Sequence, residues 1–423
     1  MGSTNVKEPK PELKRESELN NDKIYSQDTY LLKKQEIYLK LFNVTPFFGT
    51  AFPIVLCQLI ISYFDDIKEI NNILKITNNS KHISDSHIYA KICPSDLADY
   101  FKMYTTFPKL YNLCFKSYNK YVNTFLITEF KHIQILNLGD RSKITDDDTI
   151  HLKNLYRLKL GRNSKITNNG LIHLTDVKEI YLGSNSRITN DGLMYLKNAN
   201  FISLGNFSKI TNDGLVHLKD IKELCLGNRS NITDDGLVHL VNVPALSLDN
   251  RSHVTNDGLK HLVNVKILNL GGHSKVTGKG LRQLKNICEL KLGNDSRIRN
   301  VSLKILENLK YLHTLKLGSN SHITNKGFAH LKNISNLDLG DYSQITNEGL
   351  IHLKHLYSLN LGDESNITNE GLIHLQNICI LKLGDDSEIT DEGLYSLKNI
   401  RELTLGKNSM VLSRQKYNYL IYD

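Results

Sequence analysis

The chain has 423 residues, 40% hydrophobic and 23% charged, with 7 prolines, 26 glycines and no tryptophan, an ordinary composition for a water-facing folded protein. No stretch approaches the roughly 18 consecutive apolar residues of a membrane-spanning helix. Met1–Lys10 lacks the apolar core of a secretory signal, and Val6 stands where a myristoylation pattern wants Ser or Thr. The net charge of +9 is a thin excess: residues 1–130 carry 16 Lys+Arg against 14 Asp+Glu, which leaves +7 over the other 293 residues. Neither a membrane nor a nucleic acid is therefore an expected partner. The six cysteines include no Cys-x-x-Cys pair. They read as reduced thiols in an intracellular protein, with the cytoplasm as the expected compartment and the nucleus left open.

In chain order, residues 1–43 are polar and mixed in charge, and 1–25 is expected to be disordered. The segment 44–92 is apolar and helical in pattern. Pro53 suits a first helical turn, and Leu56, Leu59, Ile60 and Tyr63 mark one apolar face. Asp65-Asp66 then opens a second helix carrying Ile67, Ile70, Ile73 and Ile76. From Phe52 through Asp65 this run resembles, without a gap, the F-box pattern Leu-Pro-x-Glu-Leu-Leu-x-x-Ile-Leu-Ser-Tyr-Leu-Asp, departing from it at Phe52 for Leu and Val55 for Glu. The resemblance implies a small all-α domain that docks on the Skp-type adaptor of a cullin-based ubiquitin ligase through Pro53, Leu56, Leu59, Ile60, Tyr63 and Phe64. The bland alternative is a helical cap on whatever follows. Residues 93–130 are read as linker and N-terminal cap, since Leu110-x-x-Leu113-x-Phe115 looks like a worn copy of the next element.

From about residue 131 to 406 the sequence copies itself. Leu138, Leu160, Leu182, Leu204, Leu226, Leu248, Leu270, Leu292, Leu317, Leu339, Leu361, Leu383 and Leu405 follow one another every 22 residues, except for one step of 25 between Leu292 and Leu317. Leu155, Leu158 and Leu160 show the alternation of a short strand. Gly170-Leu171-x-x-Leu174 has the i, i+3 spacing of a helical turn, capped by Thr167 or the Asn after it. A serine follows every turn, from Ser142 to Ser409. These serines are expected to form a buried ladder that satisfies neighbouring backbone groups.

The unit is similar to leucine-rich repeats. It is nearest to the cysteine-containing subclass, although Asn163, Asn185, Phe207, Arg229 or Arg251 occupies the cysteine position. The expected fold is α/β: a right-handed leucine-rich-repeat solenoid of 13 units with a curved parallel sheet, preceded by the small all-α domain. Residues 407–423 are expected to cap its C-terminal end. Stability in such an array is a nearest-neighbour property.

No phosphate-binding glycine loop, zinc-protease His pair or nucleophile elbow occurs, so no catalytic residue, cofactor or metal is expected. Eight repeats place His on the helix, from His151 to His374. With no carboxylate or Cys to complete a site, these read as ordinary half-exposed side chains. The positions that the repeat leaves free carry the information. On the strands these are Arg157, Lys159, Tyr181 and Phe201; on the edge just past them, Phe207, Arg229, Arg251 and Tyr342. Tyr and Arg are enriched in binding hot spots and Phe in interface cores, so these eight are the expected anchors for a target protein. The edge runs from basic in early repeats to acidic in late ones (Asp341, Asp363, Glu364, Asp385, Asp386).

The F-box resemblance, followed by leucine-rich repeats, implies a target-recruiting ligase subunit. A scaffold or inhibitor without a ubiquitin link is the alternative.

Overall fold

A computed structural model describes residues 112–114, 133–412 and 420–422. The segments 1–43 and 44–92, including Pro53, Leu56, Leu59, Ile60, Tyr63 and Phe64, lie outside the described residues. Within them, the chain is a leucine-rich-repeat solenoid built on one 15-stranded sheet, in which strand order follows sequence order throughout.

Every neighbouring pair is parallel and in register, with the middle residues of successive strands opposite one another: Leu136 to Leu158, Leu158 to Ile180, Ile180 to Ile202. Asn112–Cys114 adds a strand ahead of the first regular repeat, Asn112 pairing with Ile135. Leu420–Tyr422 adds one behind the last, with Leu403 opposite Leu420.

Most strands are three residues long, and in most repeats a glycine at positive φ follows them. Gly161 (φ 75°) is one such residue, and a Cβ there would overlap the backbone carbonyl of Gly139 in the repeat before. Glycine accepts that left-handed backbone and so close an approach most readily; Asp249 is the one non-glycine residue at this position with a positive φ.

Each three-residue strand of the regular repeats buries its middle residue and leaves the two beside it half-buried or exposed, as the alternation of a strand requires. Leu155, Leu158, Leu160, Ile166, Leu171 and Leu174 are all at most 3% exposed, and the same six positions recur as one continuous core through the stack. Burying such side chains contributes roughly 1.5–3 kcal/mol each before ordering entropy is subtracted.

The helical segments are short: seven-residue 3-10 helices such as Asn190–Leu196, and single α-helical turns such as Asn168–Leu171. Lys153, Lys197 and Lys219 close three of them, where a cation suits the negative end of the helix.

The polar interior differs from the expected serine ladder. Each buried serine oxygen accepts the backbone N–H two residues on in its own repeat, Ser164 from Ile166 and Ser186 from Ile188, both at 3.2 Å. The serines close local turns rather than bridging repeats, because their short side chains reach only that far.

The bridges come from the Asn or Asp that follows the capping Thr. Asn168 accepts from the Thr189 N–H at 2.9 Å and donates to the Thr189 hydroxyl at 2.7 Å. Asn190 and Asn212 repeat the pair on Thr211 and Thr233. Asp146 and Asp234 serve Thr167 and Thr255 in the same way, with the Thr hydroxyl now donating. These two threonines also cap their helices with their side chains, each accepting from the N–H two residues on at 3.3 Å. A hydroxyl that gives its proton to a carboxylate turns its lone pairs toward the helix.

Candidate interaction surface

The strand positions beside the core residues form one face of the sheet. In the early repeats this face is aromatic and cationic. Tyr181 and Phe201, opposite ends of adjacent strands, bring their rings to 4.8 Å between centroids at a tilt of 43°. Lys159 places its Nζ 4.3 Å from the Tyr181 ring centre, within the range of a cation–π contact. Arg157 donates its Nε–H to Glu179, and that hydrogen bond raises the guanidinium pKa above its usual value. Partial burial pushes the Tyr181 phenol up, opposed by Arg157. These five side chains brace one another across the strands Arg157–Lys159, Glu179–Tyr181 and Phe201–Ser203.

The next inward positions, Ser203, Cys225, Ala245 and Ser247, are small. Burial pushes the Cys225 thiol up to about 12, helped by Asp249 and Glu223. Farther along, Glu289 lies 3.4 Å from the Lys291 ammonium and 3.9 Å from that of Lys316.

The second part of the surface is the turn edge. Phe207, Arg229 and Arg251 occupy equivalent places in consecutive repeats and line a groove of about 310 Å³ whose other walls are Asn206, Asn228 and Asn250. The Arg229 guanidinium carbon sits 5.5 Å from the Phe207 ring centre. The asparagines are not free to engage a ligand fully, since Asn206 and Asn228 each accept the backbone N–H of the next repeat's turn at 2.9 Å.

All three anchors have left-handed backbones, with φ 57°, 58° and 59°. Asn, Asp and Gly tolerate that conformation, whereas it is an outlier for bulky side chains. Asn163, Asn185, Asp295, Asn320 and Asp386 follow the preference at the same turn position. Phe207, Arg229, Arg251 and Tyr342 depart from it, as do Arg141, His273 and Glu364, so the left-handed turn belongs to the repeat as a whole and does not by itself mark the anchors.

Of the eight anchors expected from the sequence, the structure gathers seven. Arg157, Lys159, Tyr181 and Phe201 share the sheet face, and Phe207, Arg229 and Arg251 the adjoining edge; Phe201 and Phe207 belong to one repeat. Tyr342, 55% exposed, stands four repeats beyond Arg251 and touches neither group.

The acidic late edge is also more structural than its sequence suggests. Asp341, Asp363 and Asp385 each accept a backbone N–H from the following repeat, at 3.1, 2.7 and 2.7 Å. The Lys407 N–H hydrogen bond holds the Asp385 carboxyl below its usual range.

Among the described residues no group of three or more His, Cys, Asp or Glu is placed to hold a metal. The helix histidines are spread along the stack, half-exposed or exposed. No helix among the described residues is long and apolar enough to cross a membrane.

No family model matches the chain, and no curated protein is significantly similar to it in sequence. Solved structures do show likeness. An internalin (InlF) from Listeria monocytogenes is 18% identical, with 65% of this chain and 81% of that one covered and a TM-score of 0.41. The TLR13 chain of a TLR13–ssRNA13 complex is 20% identical over 73% of this chain and 50% of that one, with a TM-score of 0.49. A chain from the yeast Rad7–Elc1 complex is 15% identical over 97% and 98%, with a TM-score of 0.45.

Proposed function

We propose that the solenoid is a protein-recognition surface and that the chain recruits a target to a cullin-based ubiquitin ligase without itself catalysing a reaction. The observation that carries the recognition reading is the braced group Lys159, Tyr181 and Phe201, continuous with Phe207 and Arg229 on the turn edge. No core contact requires these side chains. Rigid aromatic and cationic groups of this kind lose little entropy when a partner lands on them.

The ubiquitin link rests on the gapless F-box-like run Phe52–Asp65. In this reading, Leu56, Leu59, Ile60 and Tyr63 grip the adaptor while the repeats hold the target. The tether raises the target's effective concentration beside the ubiquitin-charged enzyme.

The test is a pull-down with purified Skp-type adaptor, using the intact chain, a Leu56→Asp/Ile60→Asp variant and a Tyr181→Ala/Phe201→Ala variant. The adaptor is expected to bind the first and third and to release the second. Equal capture by all three, or by none, removes the ubiquitin role and leaves a scaffold or inhibitor.

A further inference from the structure

The single irregular repeat carries a second surface, on the helix side of the solenoid. Between Leu292 and Leu317 the period is 25 residues, and the helix there lengthens to Asn300–Leu306. Along the helices, the residue that follows the buried Gly-Leu pair is exposed and apolar in early repeats, as at Ile172, Met194, Val216 and Val238. It becomes Lys260, Arg282 and Lys304 in three consecutive repeats, then returns to Ile351 and Ile373.

At that basic interval a groove of about 610 Å³ opens, with Arg282, Lys285, Lys304 and Lys310 around it. Its apolar side is Val301, 84% exposed, with Ile305 and the buried Leu309. None of the four cations makes a close ion pair among the described residues, although Glu307 lies near enough to Lys304 to feel its charge. Glu307 makes its close contact with His330, at 2.8 Å. Lys310 rests 5.6 Å from the Tyr311 ring centre.

We propose that this groove docks an acidic segment of another protein, one in which carboxylates alternate with aliphatic side chains. Four cations against one nearby carboxylate call for negative charge, and an apolar wall carrying an exposed valine calls for aliphatic groups beside it. The volume falls within the range of about 300–1,000 Å³ typical of ligand clefts. A concave site accepts a protruding chain better than a flat bilayer. Single-stranded nucleic acid would need stacking rings, and the one tyrosine at hand already carries Lys310. The site shares no residue with the sheet face or the turn edge, so it stands or falls independently of the function proposed above.

The experiment is fluorescence anisotropy of the intact protein with a short fluorescein-labelled peptide of alternating glutamate and leucine. Saturable binding is expected, weakening as salt rises. The Arg282→Glu/Lys304→Glu variant should lose affinity by more than roughly tenfold, and Val301→Ser by roughly tenfold. Melting curves should not change, because all three residues are exposed. Tyr181→Ala/Phe201→Ala should leave the affinity unaltered.

Absence of saturable binding overturns the proposal, as does equal affinity for a peptide with glutamine in place of glutamate. So does binding that neither groove variant weakens. Groove-dependent sedimentation with phosphatidylserine vesicles, or groove-dependent retention of single-stranded RNA, with no binding of the peptide, would overturn it too and assign the charge to a lipid or nucleic-acid ligand instead.

Discussion

Gly278 packs directly against Ser302 in the next repeat: a Cβ on Gly278 would lie 2.5 Å from the Ser302 hydroxyl and 2.7 Å from its Cβ. Elsewhere the arrangement is reversed. The bridging Asn stands first and a glycine follows it one repeat later, so that a Cβ on Gly192 would meet the Asn168 Oδ1 at 2.5 Å and one on Gly349 would meet Asn325 Oδ1 at 2.8 Å. Two side chains compete for one space, and each interface keeps only one of them. At the irregular repeat the serine is kept, and the Asn–Thr bridge is broken there, with Arg299 in place of the threonine.

This exchange predicts a coupled pair of substitutions. Gly278→Asn alone overpacks the site and should cost about 1–3 kcal/mol. Adding Ser302→Gly clears the space and lets the introduced amide side chain reach the Arg299 N–H, so the double variant should recover most of that loss. Urea unfolding of the two single variants and the double variant measures the coupling. Strictly additive losses would show that the two residues do not share the space.

The bridging asparagine makes a prediction with a built-in contrast. Asn190→Ala strips the Thr211 N–H of its acceptor and the Thr211 hydroxyl of its donor inside the stack. Leaving a partly buried donor without its acceptor should cost about 1 kcal/mol. Asn190→Asp should cost less, because Asp146 and Asp234 already fill the role with the Thr hydroxyl donating. Denaturant midpoints at neutral pH separate the two. Equal destabilisation by Ala and Asp would mean that the donor, not the acceptor, carries the bridge.

The core was legible because apolar side chains at a fixed period have nowhere to go but a shared interior. The leucines of every repeat are where the 22-residue spacing puts them. The bridge was not legible, because an Asn after a capping Thr looks like ordinary helix-start chemistry. Its signature is nonetheless present in the sequence: the only repeat with Ser instead of Gly at position 302 follows the only one with Gly instead of Asn or Asp at 278. A repeated buried serine suggests a ladder between repeats, yet its short reach limits it to its own turn. Phe207, Arg229 and Arg251 are visible as deviations from the repeat. Their left-handed backbone, which the same position shares in the other repeats, appears only once the turn geometry is known. The groove at Arg282 and Lys304 is hidden in the sequence because those residues look like solvated surface until the lengthened helix beside them is seen.

Phe328 tests how local the stability of the array is. It is fully buried in the place where neighbouring repeats carry Leu303 and Leu350. Phe328→Ala should cost about 3–5 kcal/mol through lost transfer and the cavity left behind, whereas Phe328→Leu should cost under about 1.5 kcal/mol if the flanking leucines settle inward. Since each repeat is held by its neighbours, hydrogen exchange in the Ala variant should quicken first in the strands Thr314–Lys316, Asn336–Asp338 and Ser358–Asn360, and much less in Arg157–Lys159. Uniform acceleration along the whole sheet would show that the stack unfolds as one unit.

Cys225 gives a prediction in pH. With its pKa raised to about 12, chiefly by burial, the thiol stays protonated where an ordinary one near 8.5 begins to ionise. Because the thiolate is the nucleophile, iodoacetamide at pH 8.5 should modify Cys225 far more slowly in the folded protein than after unfolding in urea. The same shift has a sign for stability. The folded state holds this proton more tightly, so the contribution is fully present below about 8.5 and is lost as pH rises from there toward 12. Peptide mapping after timed alkylation reads the first effect, and melting temperatures for wild type and Cys225→Ser between pH 7 and 10 read the second: the wild type should lose its margin over the variant as pH rises. Rapid labelling of folded Cys225 at pH 8.5 would mean that its side chain is not shielded by the sheet face.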